Sequence, residues 1–258
     1  MLLSGATVAA LCGFAFLAGF TDSVVGGGGL IQIPALLVLL PGVPIPAVFG
    51  TNKLASAMGT VAAVRRYSLG LRIDWRVILP AALASFGCSL LGAHAVSAVR
   101  PDALRPVILV LLVAVALFTW YARDFGKIHA PRLGGGAALV AAALTGGALG
   151  FYDGFFGPGT GSFLIFLFIG VFGFDFLAAS AAGKVVNLGS NTAAALYFMA
   201  TDQVLYRLAI PMGVASIAGA TLGSHLALTR GVRLIRGFFL AVVAALILKL
   251  AWDTLRPS

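Results

Sequence analysis

The sequence predicts an all-α, polytopic transmembrane helix bundle built of two homologous, inverted repeats, with broken or hairpin helices at glycine tips. Three observations predict it. Of 258 residues, 60% are hydrophobic and only 10% charged, with a mean hydropathy of +1.06. A soluble domain carries about a quarter charged residues, so lipid must be the outer solvent, and backbone amides in lipid need partners within their own helix. The apolar runs are continuous and about twenty residues long, the length a helix needs to cross a bilayer, without the ten-residue alternation of transmembrane strands. The third observation is that the chain aligns with itself.

The net charge of +9 does not point to nucleic acid. Arg and Lys sit mostly in short loops between apolar runs, as the positive-inside rule requires. Cys12 and Cys88 lie inside apolar runs and read as structural thiols; two cysteines at that spacing make no metal motif. The start lacks a basic region and a small-residue cleavage site, so no cleavable signal peptide is expected. No P-loop is present, and neither cofactor nor metal is expected.

Apolar segments fall at 6–40, 46–64, 77–97, 103–121, 136–173, 178–199, 206–228 and 235–252. The segments 6–40 and 136–173 are nearly twice the length one crossing needs. Gly26-Gly27-Gly28-Gly29 interrupts the first and Gly157-Pro158-Gly159-Thr160-Gly161 the second. Such runs weaken a helix, proline most, so each long segment is expected to be two helices meeting at an irregular tip.

Shifted by 131 residues, the halves align without a gap, with 22 identities over positions 19–118. Gly19, Phe20, Asp22, Gly26 and Gly28 fall on Gly150, Phe151, Asp153, Gly157 and Gly159. Lys53 falls on Lys184, Arg76 on Arg207, Pro80 on Pro211, Gly92 on Gly223, His94 on His225 and Arg105 on Arg236. The expected division is a first repeat at 1–125, a basic linker at 126–135 and a second repeat at 136–258. Duplicated transporters place substrate and coupling sites at the repeat interface. Arg65, Arg66, Arg72 and Arg76 mark one loop as cytoplasmic, with Arg123, Lys127 and Arg132 of the linker. Inverted halves then put ten basic residues inside and four outside, against nine and five for parallel halves, counting Arg100, Arg105, Arg207, Arg230, Arg233, Arg236 and Arg256.

Broken helices within a membrane are tolerated when buried in protein or facing a water-filled cavity. A helix starting after such a tip offers amides and a positive dipole end to an anion; tight helix packing is the alternative use of the same glycines. Lys53 and Lys184 lie six or seven residues into apolar segments, roughly 10 Å deep. They could snorkel to the interface, but charges within spans usually face a cavity. Thr51 and Asn52 flank Lys53, while Asn187 and Asn191 share a helix face with Lys184. Asp22 and Asp153, four residues before each tip, could pair with the lysines, cap tip amides or carry protons. His94 and His225 read as interfacial hydrogen-bonding groups, with pH sensing as the alternative.

Gly19-Phe20-Thr21-Asp22-Ser23, Gly26-Gly27-Gly28-Gly29, Pro34 and Gly50-Thr51-Asn52-Lys53 resemble the TauE/SafE sulfite-exporter family of membrane permeases. The second half is similar in Gly150-Phe151-Tyr152-Asp153-Gly154, Gly157-Pro158-Gly159-Thr160-Gly161, Lys184, Asn187 and Asn191. The resemblance spans essentially the whole chain. It implies a bacterial-type inner-membrane permease, often exporting, that moves sulfite, organosulfonates or related organic anions. It does not choose among them. The expected partners are a small anionic substrate and the lipid bilayer; a homo-oligomer is left open. Two other classes are the alternatives: an intramembrane aspartyl-type enzyme using Asp22 and Asp153, and an accessory membrane subunit.

Overall fold

The computed structural model of the chain describes residues 4–71, 73–99, 108, 110, 113–114, 130 and 132–230. The predicted segment 235–252, nearly all of 103–121, the linker before residue 130, and Arg72, Arg100, Arg105, Arg233, Arg236 and Arg256 lie outside the described residues.

Among the described residues the fold is all-helical. The first half supplies α1 (Gly5–Val25), α2 (Gly29–Leu39), α3 (Ile45–Gly70) and α4 (Trp75–Ala98). The second supplies α5 (Gly135–Phe155), α6 (Thr160–Gly170), α7 (Phe176–Ala200) and α8 (Tyr206–Arg230). Four of these, α1, α4, α5 and α8, are long and apolar enough to cross a membrane. With 26 and 25 residues, α3 and α7 are as long, and they carry the buried lysines. Adding 131 to the bounds of α2 gives those of α6, and the other pairs agree within a residue.

Both long segments break where glycine predicts. Gly26 closes α1 in the left-handed region at φ 79°, a conformation that strongly favours glycine. In the second tip Gly157 and Gly159 adopt φ 97° and 80°. The helices after the tips, α2 and α6, have 11 residues each. That is about 16 Å, half the roughly 30 Å hydrocarbon core. Local chemistry sets several starts: Ser4 Oγ accepts the Thr7 amide, Asp74 that of Arg76 and Asp175 that of Ala178.

Close glycine contacts fix the helix directions. Gly219 sits against the Phe16 carbonyl and Gly223 against that of Phe20, so α1 and α8 run parallel. Gly59 meets Ser216 and Gly70 meets Leu228, which aligns α3 with α8. Gly146, Gly150 and Gly154 pack on Ala81, Ser85 and Ser89, so α5 runs with α4. Gly189 against Ala82 and His94 beside Tyr197 set α7 in the same sense. Between α3 and α7 the register descends, from Gly50 on Phe198 to Lys53 on Asn191, so these two are antiparallel. Each half's first helix therefore packs on the other half's last described helix, and α1, α3 and α8 oppose α5, α7 and α4.

These directions also sort the arginines. The ends of α3 and α8 and the starts of α4 and α5 share one end of the bundle, which gathers Arg65, Arg66, Arg76, Arg132 and Arg230. Arg132 donates to the Gly170 carbonyl there, and Arg66 lies 2.7 Å from His225 Nδ1. Arg207 starts α8 at the opposite end. Two apolar clusters fill the core, one around Phe49, Phe156 and Phe198, the other around Phe168, Phe172 and Phe174.

Candidate substrate site between the two halves

The two glycine tips touch. The Ser162 amide donates to the Gly26 carbonyl at 2.8 Å, and Ser162 Oγ donates to the Val25 carbonyl at 2.7 Å. Gly26 and Gly161 lie backbone to backbone, where a Cβ on either would collide with the other. Tyrosines brace the tips from outside: Tyr152 donates to the Pro158 carbonyl and Tyr67 to that of Ser23.

Around this junction the charged residues pair across the halves. Lys53 Nζ lies 2.8 Å from Asp153 Oδ2, and Lys184 Nζ lies 2.7 Å from Asp22 Oδ2. The two pairs are equivalents under the 131-residue shift. Both lysines are buried, at 2% and 0% exposure, so neither snorkels. A buried charge is tolerated when it is paired and hydrogen-bonded. Lys53 also donates to Asn191 Oδ1 at 3.2 Å, Asn191 Nδ2 to Asn187 Oδ1 at 3.0 Å, and Asn187 Nδ2 reaches Asp153 at 3.5 Å. Asp22 accepts the Gly28 amide at 3.2 Å while holding Lys184, so it both caps a tip and pairs with a lysine. Neither aspartate is placed as half of an aspartyl dyad; the ion-pair partner of each is a lysine.

A small polar cavity lies against the junction. Of the residues that sequence reasoning selected, Asp22, Gly26, Gly28, Gly29, Asn52, Lys53, Asp153, Gly157, Gly159, Gly161, Asn187 and Asn191 line it. Gly157 leaves room for the Lys53 ammonium, which a Cβ there would approach to 2.8 Å. Gly27, Thr51, Thr160 and Lys184 do not line the cavity. Thr51 Oγ1 instead accepts the Leu205 amide and donates to the Ala47 carbonyl, and Thr160 Oγ1 donates to the Gly157 carbonyl. Lys184 sits behind Asp22.

Sequence reasoning missed Gln32, Ser56, Thr60 and Ser216, which also line the cavity. Ser56 and Thr60 could have been found, because the shift places them on Asn187 and Asn191. Gln32 accepts from Ser56 Oγ at 3.2 Å. Gln32 Nε2 and Asn52 Oδ1 are buried without a hydrogen-bond partner among the described residues. Such groups are rare in a finished core and common where a ligand or water completes the bonding.

The sulfite exporter TauE/SafE family profile matches residues 11–250. The chain belongs to that family. It is 36% identical to "Probable membrane transporter protein ORF9" of a Sinorhizobium species, over 94% of this chain and 92% of the relative. It is 35% identical to "Probable membrane transporter protein YfcA" of Escherichia coli, over 93% and 88%. With a "Probable membrane transporter protein" of Haemophilus influenzae it shares 33% identity over 92% of each chain. No solved structure matches the chain. This TauE/SafE member is a membrane transporter and not an enzyme, and the aspartyl-enzyme alternative is set aside.

Proposed function

We propose that the protein is a multi-pass secondary transporter of the bacterial inner membrane that moves a small anion, such as sulfite or an organosulfonate, out of the cell. The observation that carries this reading is Lys53: a buried ammonium on the wall of a polar cavity, at the junction of two glycine tips. A buried cation within a span is costly and marks a substrate path. Two reversed half-helices meeting beside it match how duplicated transporters frame their sites. The family's description supports the substrate class and direction.

The same reading takes residues 1–125 and 136–258 as inverted repeats. Three matched helix pairs, α1 and α5, α3 and α7, α4 and α8, each run in opposite senses, which supports inversion over parallel duplication. The arginine-rich end is then cytoplasmic. Alternating access would come from one set of helices rocking against the other around the tips. The test is uptake into inside-out vesicles or proteoliposomes with a panel of sulfite, alkanesulfonates, sulfate and carboxylates. Saturable transport of one anion class supports the proposal; transport of a cation or neutral solute alone refutes it.

A further inference from the structure

Charge balance at the site adds a requirement. Lys53 and Lys184 are matched by Asp153 and Asp22, each at ion-pair distance. The four charges sum to zero. An anion entering the cavity meets two lining carboxylates, Asp22 and Asp153, and one lining ammonium, Lys53, which is already engaged. Lys184 offers nothing: it is fully buried, and its partner Asp22 is held in place by the Gly28 amide. A second anion beside this set would leave a net negative charge in a low-dielectric interior, which is strongly disfavoured.

We propose that the anion binds together with one proton, and that Asp153 takes it. The proton comes from the aqueous phase and forms an O–H bond on the Asp153 carboxylate. No other covalent bond changes, and Lys53 keeps all three of its protons. Its ammonium passes from Asp153 to the anion, still steadied by Asn191, so the site regains zero net charge for a monoanion. The inference rests on the anion reading above and deepens it: anion and proton cross together in the same direction, so export runs down the anion's own concentration gradient.

The surroundings of Asp153 allow this. From α3 it faces Lys53, and from α7 the neutral Asn187, with Lys184 committed to Asp22 on α1. Its own helix adds Tyr152, whose hydroxyl is tied to Pro158. On α4, which packs against α5, the titratable groups are Arg76, at the arginine-rich end and thirteen residues before the Ser89 that Gly154 packs on, Cys88, and His94, the latter engaged by Tyr197. None of these supplies a fixed positive charge at Asp153 that could replace the proton.

The experiment uses purified full-length protein and methanesulfonate, whose own charge does not change between pH 6 and 8, in buffers free of sulfonates. Proton uptake on binding is read in weakly buffered solution, and the dissociation constant is measured by calorimetry across that range. The expected result is about one proton per anion, with affinity weakening tenfold for each pH unit of rise, as linkage demands for one proton taken up. Asp153→Asn, a permanently uncharged stand-in, should bind with pH-independent affinity and no proton uptake. The wild-type proton count stands alone if that variant does not fold. Binding with no proton uptake and a flat pH profile overturns the coupling and leaves the anion site standing. A requirement for sodium in place of the proton overturns it as well. Failure of methanesulfonate, sulfite and sulfate to bind at any pH removes the anion reading and the coupling with it.

Discussion

Asp22→Asn isolates the buried charge that the cavity does not reach. The substitution keeps the side chain's size but takes away the one counter-ion that Lys184 has among the described residues, leaving a lysine with 0% exposure that was paired at 2.7 Å. Breaking a buried ion pair from one side typically costs about 3–5 kcal/mol. For a chain of this size that is a fall in melting temperature of roughly 6–20 °C. Lys184→Met should cost less, because Asp22 is 21% exposed and keeps the Gly28 amide. The double variant Asp22→Asn/Lys184→Met should recover most of the stability, since replacing a buried pair as a unit is close to neutral. The assay is thermal unfolding in detergent at pH 7, 8 and 9. An Asp22→Asn protein that melts with the parent, or a double variant worse than both singles, refutes the reasoning.

Gly26→Ala should abolish accumulation of folded protein, because the residue is left-handed at φ 79° and its Cβ would collide with the Gly161 backbone; Gly42→Ala, with open space around it, should be silent in the same expression and gel-filtration test. Ser216 lines the cavity while its matched residue Ser85 is 1% exposed and does not. In a background lacking Cys12 and Cys88, cysteines at 216 and 85 should then react with a water-borne reagent from opposite sides of the membrane. Labelling of both from one side would contradict inverted, alternating halves.

Much of the fold was legible in the residues. Segment length against bilayer thickness placed the long helices, and the glycine runs placed both breaks because few other residues accept a left-handed φ. The 131-residue shift also located the four central charges. What it could not show was their pairing. Asp22 lies nearer in sequence to Lys53 than to Lys184, and only the exchange of helices between halves brings Lys184 to it. The polar run Thr51-Asn52-Lys53 suggests Thr51 for the site, yet two helical residues span about 200°, so Thr51 and Lys53 do not both face the cavity. Gln32 carried no signal, since one amide in an apolar helix has the same pattern whether it lines a cavity or packs in a core. The tip amides were expected to face an anion. Two of them are instead taken by protein, Gly28 by Asp22 and Ser162 by Gly26.

The central claim is that a small anion binds at Lys53 between the halves, and calorimetry on Lys53→Ala tests it most directly. The parent protein is first titrated with sulfite and methanesulfonate in detergent, and the variant follows under the same conditions. Removing an ammonium that a desolvated anion relies on costs about 3 kcal/mol or more, so affinity should fall by at least a hundredfold. Lys53→Arg should restore part of it, because the charge is kept but the planar guanidinium does not fit the place of a compact ammonium beside Gly157. A Lys53→Ala protein that is folded and binds the anion as tightly as the parent would contradict the account.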